Sequence, residues 1–172
     1  AVGAAVSGAV VQIAASGSGN TITTPAPTNP NGVTTATLSS TVAETKVITV
    51  TANSVTLVDQ PSVEVTHAGV SAAGSTVTAA PTTISNQGEL SIITVVVKDQ
   101  FDNPINGAAV TLSASPSSGV TFTQPGTTDA GGFASGDLSS SVAGTKTITA
   151  SVTVGGVTTV LSQTPAITVT SP

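Results

Sequence analysis

The segment Leu38-Ser39-Ser40-Thr41-Val42-Ala43-Glu44-Thr45-Lys46 returns one hundred positions later as Leu138-Ser139-Ser140-Ser141-Val142-Ala143-Gly144-Thr145-Lys146. That period is too long for a solenoid or propeller repeat and has the length of a whole small β-domain. The chain holds 172 residues, so it is a tandem array caught out of phase, with room for one copy and the later part of another.

Composition narrows the class. Hydrophobic residues make up 38% of the chain, charged ones 6% and aromatic ones 2%. Disorder goes with low hydrophobicity and high charge, and no apolar run approaches the roughly 20 residues of a membrane-spanning helix, so folded β-structure without a membrane span is expected. The interior must be built from Val, Ile, Leu and Ala, because Trp, Tyr, Met and Cys are absent and only Phe101, Phe122 and Phe133 are aromatic. Each buried Val or Ile contributes about 1.5–3 kcal/mol, which predicts narrow domains of modest stability. Without cysteine there is neither a disulfide nor thiol chemistry. The formal net charge is −5, there is no Arg, and Lys46, Lys98 and Lys146 are the only cationic side chains, so the basic patch that binds nucleic acid is missing.

Strand signals are clearest within the repeat. Ile148, Ala150, Val152 and Val154 alternate with Thr149, Ser151 and Thr153, and Ile48, Val50 and Ala52 do the same in the first copy. Val110-Thr111-Leu112-Ser113-Ala114 matches Val11-Gln12-Ile13-Ala14-Ala15. Turn residues punctuate these runs at Asp102-Asn103-Pro104, Asn106-Gly107, Ala130-Gly131-Gly132 and Gly155-Gly156. The loop from Pro125 to Gly132 has the length of the one from Pro25 to Gly32, each followed by a strand, at 133–139 and 33–39.

Seven strands are predicted for the second copy, at 75–79, 90–99, 109–114, 120–124, 133–139, 145–154 and 157–170 with a break near Pro165. Their number and spacing fit an all-β immunoglobulin-like sandwich. The hundred-residue offset sets Ala1 against Gln100 or Phe101, so the first copy is expected to hold only the last five strands, lacking its first two. The expected organisation is a partial immunoglobulin-like domain at 1–66, a short small-residue junction at 67–74 and a complete domain at 75–172. A sandwich short of two strands exposes sheet edges. Either those strands precede Ala1, as its lack of an initiator Met would fit, or another subunit donates one by β-augmentation.

The second copy resembles the group 1 bacterial immunoglobulin-like domain of intimin- and invasin-type adhesins. The resemblance rests on Val95-Val96-Val97-Lys98-Asp99-Gln100-Phe101-Asp102-Asn103-Pro104-Ile105-Asn106-Gly107-Ala108, on Val110 to Ser115, on Thr128-Asp129-Ala130-Gly131-Gly132-Phe133-Ala134 and on Leu138 to Thr149. It covers 75–170 in full and 3–66 as the latter part of another copy. It implies rods in series on the outside of bacteria, a cell-surface or extracellular location, and a stalk or scaffold role, since a lectin-like tip would bring Cys and Trp.

Candidate chemistry is sparse. His67 is the only histidine, and any triad or zinc site would be built around it, but it lies in the junction beside Thr66 and Ala68, where an exposed linker residue is expected. Asp99, Asp102 and Asn103 offer the hard oxygens calcium needs, yet no calcium-loop pattern follows and a turn between strands explains them. Asp59 and Glu64 are too few carboxylates to make a calcium border. No serine stands in a Gly-x-Ser-x-Gly elbow, and Asn53-Ser54-Val55 fails as a glycan acceptor at its third position. The expectation is therefore no enzyme, no catalytic, cofactor or metal residue and no cofactor. Its partners would be neighbouring immunoglobulin-like domains or identical subunits, with a cell-surface or matrix ligand. The alternative reading is a subunit of an extracellular filament or sheath that polymerises by strand complementation. A carbohydrate-binding sandwich would need aromatic platforms, and the three phenylalanines sit at mostly core-like positions.

Overall fold

The computed structural model describes residues 3–172 and divides into two compact units, Ala1–Thr66 and His67–Pro172. Among the described residues there is no helix, and every regular element is a strand.

Unit 2 is a two-sheet sandwich. Its strands are β7 (Thr76–Ala80), β8 (Thr83–Ser85), β9 (Ser91–Val96), β10 (Ala109–Ser115), β11 (Val120–Thr123), β12 (Phe133–Ser140), β13 (Gly144–Val154), β14 (Val157–Val160) and β15 (Ala166–Thr170). One sheet has the order β10-β13-β15-β8 with β14 also on β13, and the other runs β11-β12-β9-β7. Alternation decides which side chains meet between them. Ile93, Val95 and Val97 from one sheet and Ile148, Ala150, Val152 and Ile167 from the other are wholly buried. The intervening residues, such as Ile92 and Thr149, point away from this core. At the β13–β14 turn Gly155 and Gly156 both take positive φ, 56° and 81°, the geometry a two-residue hairpin needs to match the twist of its strands.

Unit 1 has the strands β1 (Val11–Ala15), β2 (Asn20–Ile22), β3 (Leu38–Ser40), β4 (Thr45–Ala52), β5 (Val55–Thr56) and β6 (Ser62–Glu64). The first sheet pairs β1, β5 and β6 with β4, and the second, among the described residues, is β2 with β3. Its registers reproduce those of unit 2: Ile13 faces Val50 as Leu112 faces Ala150, and Lys46 faces Val63 as Lys146 faces Ile167. A threonine within each loop does the same work in both. Thr28 accepts from the Ala9 N–H and donates to the Val6 carbonyl, while Thr128 accepts from the Ala108 N–H and donates to the Ile105 carbonyl.

Several sequence expectations are corrected. The strand predicted at 33–39 forms only as β3, because the equivalent β12 is held along most of its length by β9, and among the described residues β3 pairs with β2 only. The run at 157–170 is two strands, β14 and β15, that pair with different stretches of β13. β8 was not expected. It is three residues long and exists through parallel pairing with β15, Ile84 opposite Val169. Phe101 and Phe133 are exposed rather than core, Phe101 in the tight turn after Asp99 and Phe133 on the outward side of β12.

Candidate functional site

Two of the residues singled out for chemistry, His67 and Asp99, are engaged in holding the backbone. His67 is half-buried and its Nδ1–H donates to the Ala68 carbonyl at 2.8 Å. Asp99 is buried, and its two carboxylate oxygens accept from the N–H groups of Ala68, Phe101 and Asn103 and from the Asn103 side-chain amide, at 2.8–3.0 Å. Burial pushes the Asp99 carboxyl up, but those four donors outweigh it and hold the group below its ordinary value. Its oxygens are thus taken by donors that a cation would have to displace. Asp102 is exposed and pairs loosely with Lys98 at 3.5 Å, an ion pair worth at most about 1 kcal/mol. Asp59 and Glu64 are exposed, and among the described residues no three acidic or imidazole groups gather closely enough to hold a metal ion.

Asp99 thereby ties the segment around Ala68 to the β9–β10 connection, reinforced by Val70 bridging Asp99 and by the Ser71 N–H on the Lys98 carbonyl. Asp99→Ala leaves four donors without their acceptor, and a loss of about 2–3 kcal/mol from unit 2 is expected, with faster amide exchange at Ala68. Because the folded-state pKa is depressed, this stabilisation is complete above the ordinary carboxyl range and drains away as pH falls below about 4. Thermal unfolding from pH 7 to pH 2 should show a steeper acid loss in the parent chain than in the variant.

The sequence reading counted Lys46 and Lys146 only as cations. Both are buried to 1% exposure or less, on the same inward-facing register as Ile48 and Ile148. The Lys146 ammonium donates to the Ser118 carbonyl at 2.9 Å. Lys46 donates to the Ser18 carbonyl at 2.6 Å and to the Glu44 carboxylate, which that bond, with the Ser18 N–H, holds below its ordinary pKa. In unit 2 Gly144 stands where Glu44 stands, so the two sockets differ in their acceptors. The signal was in the repeat: a lysine two residues before an inward isoleucine on a period-two strand must itself point inward.

Two of the surface depressions are the most relevant to binding. In unit 2 an open groove of about 450 Å³ runs beside Ile92, Phe133 and Asp129, whose carboxylate is already bound to the N–H groups of Gly131 and Phe133. In unit 1 a cleft of about 180 Å³ is lined by Ile13, Ile22, Leu38, Ile48 and Val63 together with Ala36 and Thr37, with no charged side chain. Leu138, Ile148, Leu112 and Ile167, the partners of four of these residues in unit 2, are almost fully buried. There they belong to one buried cluster with Ile93 and Val95 of β9, Val77 of β7 and Ile84 of β8.

The bacterial Ig-like domain (group 1) family matches residues 73–170. No curated protein matches the chain. Among solved structures, the chain is similar to an Escherichia coli adhesin, FdeC, at 23% identity and a TM-score of 0.72, over 97% of this chain and 54% of that one. Yersinia pseudotuberculosis InvD aligns at 19% identity and a TM-score of 0.67, over 98% of this chain and 49% of that one. A bacterial integrin-binding protein, invasin, aligns at 25% identity and a TM-score of 0.55, over 97% and 33%. The chain spans about half the length, or less, of these structures.

Proposed function

Since the chain belongs to the bacterial Ig-like domain (group 1) family, we propose that it is a spacer of a bacterial surface protein, a stalk that carries a binding module outward and performs no catalysis. In this reading residues 1–66 are the later strands of one domain, 67–74 the junction and 75–172 the next domain. The observation that carries it is the family match across unit 2, joined to a unit 1 of the same registers. The polar groups support it: His67, Asp99, Thr28 and Thr128 are all engaged in backbone hydrogen bonds, the expected use of such residues in a scaffold. Similarity to an adhesin and to an integrin-binding protein supports a surface location.

An antibody raised against this chain should label intact bacteria that make the parent protein, and external protease should remove the label. Beads coated with the chain alone should not adhere to host cells. Label that appears only after lysis would end the surface reading, and adhesion by the chain itself would make it a binding module instead of a spacer.

A further inference from the structure

We infer that Gln124 guards an interaction surface: its side-chain amide occupies the main-chain groups on the free edge of β10 through which a second copy of this chain would pair. β10 ends its sheet, with β13 on one side only. Leu112 lies opposite Ala150, whose carbonyl is turned the other way to accept from the Leu161 N–H. Opposed residues of an antiparallel pair turn their polar groups either toward each other or both away, so the Leu112 N–H and C=O point out from the edge. Gln124, just past β11, meets both. Its Oε1 accepts from the Leu112 N–H at 2.7 Å and its Nε2 donates to the Leu112 carbonyl at 2.9 Å. These are the two bonds a neighbouring strand would make there, supplied by one side chain.

The rest of the edge shows why this position matters. Ala109 is bridged by Thr127, and the Ala108 carbonyl is taken by the Thr128 N–H, so the loop covers the start of the strand. Beyond it Leu112 and Ala114 carry the outward groups. β10 reads Ala-Val-Thr-Leu-Ser-Ala-Ser and has neither a charged residue nor a proline, the devices that commonly keep an edge from pairing. A second copy fits because this edge is complementary to itself. Run antiparallel, Leu112 of each copy faces Ala114 of the other, and each such pair exchanges two main-chain bonds. Both pairs need the Leu112 groups that Gln124 holds. Unit 1 supplies the comparison: Ile13 lies opposite Val50, whose carbonyl accepts from the Leu57 N–H, but Thr24 stands in place of Gln124 and makes no hydrogen bond to Ile13. A cleft of about 170 Å³ beside Ile13, Thr24 and Pro25 is open there. The inference does not rest on the spacer reading.

Sedimentation equilibrium and concentration-dependent amide exchange of the whole chain at pH 7 test it. Gln124→Ala should raise the self-association constant about tenfold or more over the parent, with protection appearing at 111–115 as concentration rises. Gln124→Thr, which installs the residue of unit 1, should do the same. Gln124→Glu removes the donor to the Leu112 carbonyl as alanine does, but it leaves a charge on the edge and should self-associate no more than the parent. The inference is overturned if the Ala and Thr variants self-associate no more than the parent, or if their new contact protects residues other than 111–115. It is also overturned if the Glu variant associates as strongly as the Ala variant, since loosening of the fold would then be the cause.

Discussion

Ile148→Ala is expected to cost unit 2 about 3–4 kcal/mol, and Ile48→Ala to cost unit 1 only about 1–1.5 kcal/mol. The residues are equivalent in sequence and register, and their surroundings differ. Ile148 is wholly enclosed between two sheets, so truncation removes its transfer energy and leaves a cavity that the packed neighbours cannot fill. Ile48 is half-buried and lines an open cleft, where water or a small shift fills the space. The chain has no Trp or Tyr, so fluorescence cannot follow either unit. Denaturant-dependent hydrogen exchange read by mass spectrometry can assign each loss to its unit. Equal losses would mean that the cleft is closed in solution.

The second large effect lies in a loop. Gly132 has a φ of +78°, and a Cβ there would stand 2.5 Å from the Val97 carbonyl oxygen and 3.3 Å from Pro104 Cβ. Its own carbonyl accepts the Val97 N–H at 2.8 Å, so the glycine cannot move aside without breaking that bond. Gly132→Val combines a left-handed β-branched residue with backbone overlap, and a loss of about 3–5 kcal/mol is expected. At Gly32, where φ is +72°, the nearest atom would be the Val6 nitrogen at 3.2 Å, and about 1–2 kcal/mol is expected for the same change. Urea midpoints of the two variants, followed by far-UV circular dichroism, would rank them.

Which parts of this fold could be read from residues follows from the range of the interactions. Alternation within 145–154 and the glycine pair at 155–156 are local, and β13, its hairpin and β14 stand where they point. The same holds for β10 and β12, whose inward residues are two apart. β8 left no such mark: Thr83–Ser85 is too short for a period and is a strand only because β15, more than eighty residues later, lies beside it. Residues 33–37 carry the alternation of a strand and are not one, since a ladder needs a partner as well as a pattern. The lysine sockets were hidden by the general rule that charge stays outside, although Lys46 and Lys146 shared the inward phase of their strands. For Asp99, Asp102 and Asn103 the turn was legible, but the reach of Asp99 back to Ala68 was not, because it crosses 31 positions of sequence.

The parallel pairing of β8 with β15 has a mechanical meaning. One strand lies near the start of unit 2 and the other at its end, and both run in the same direction. Opposed forces on the two ends therefore drag these strands past one another in shear, so that their bonds share the load at once instead of opening one after another like a zip. A unit wired in this way meets tension along its length with its rungs acting together.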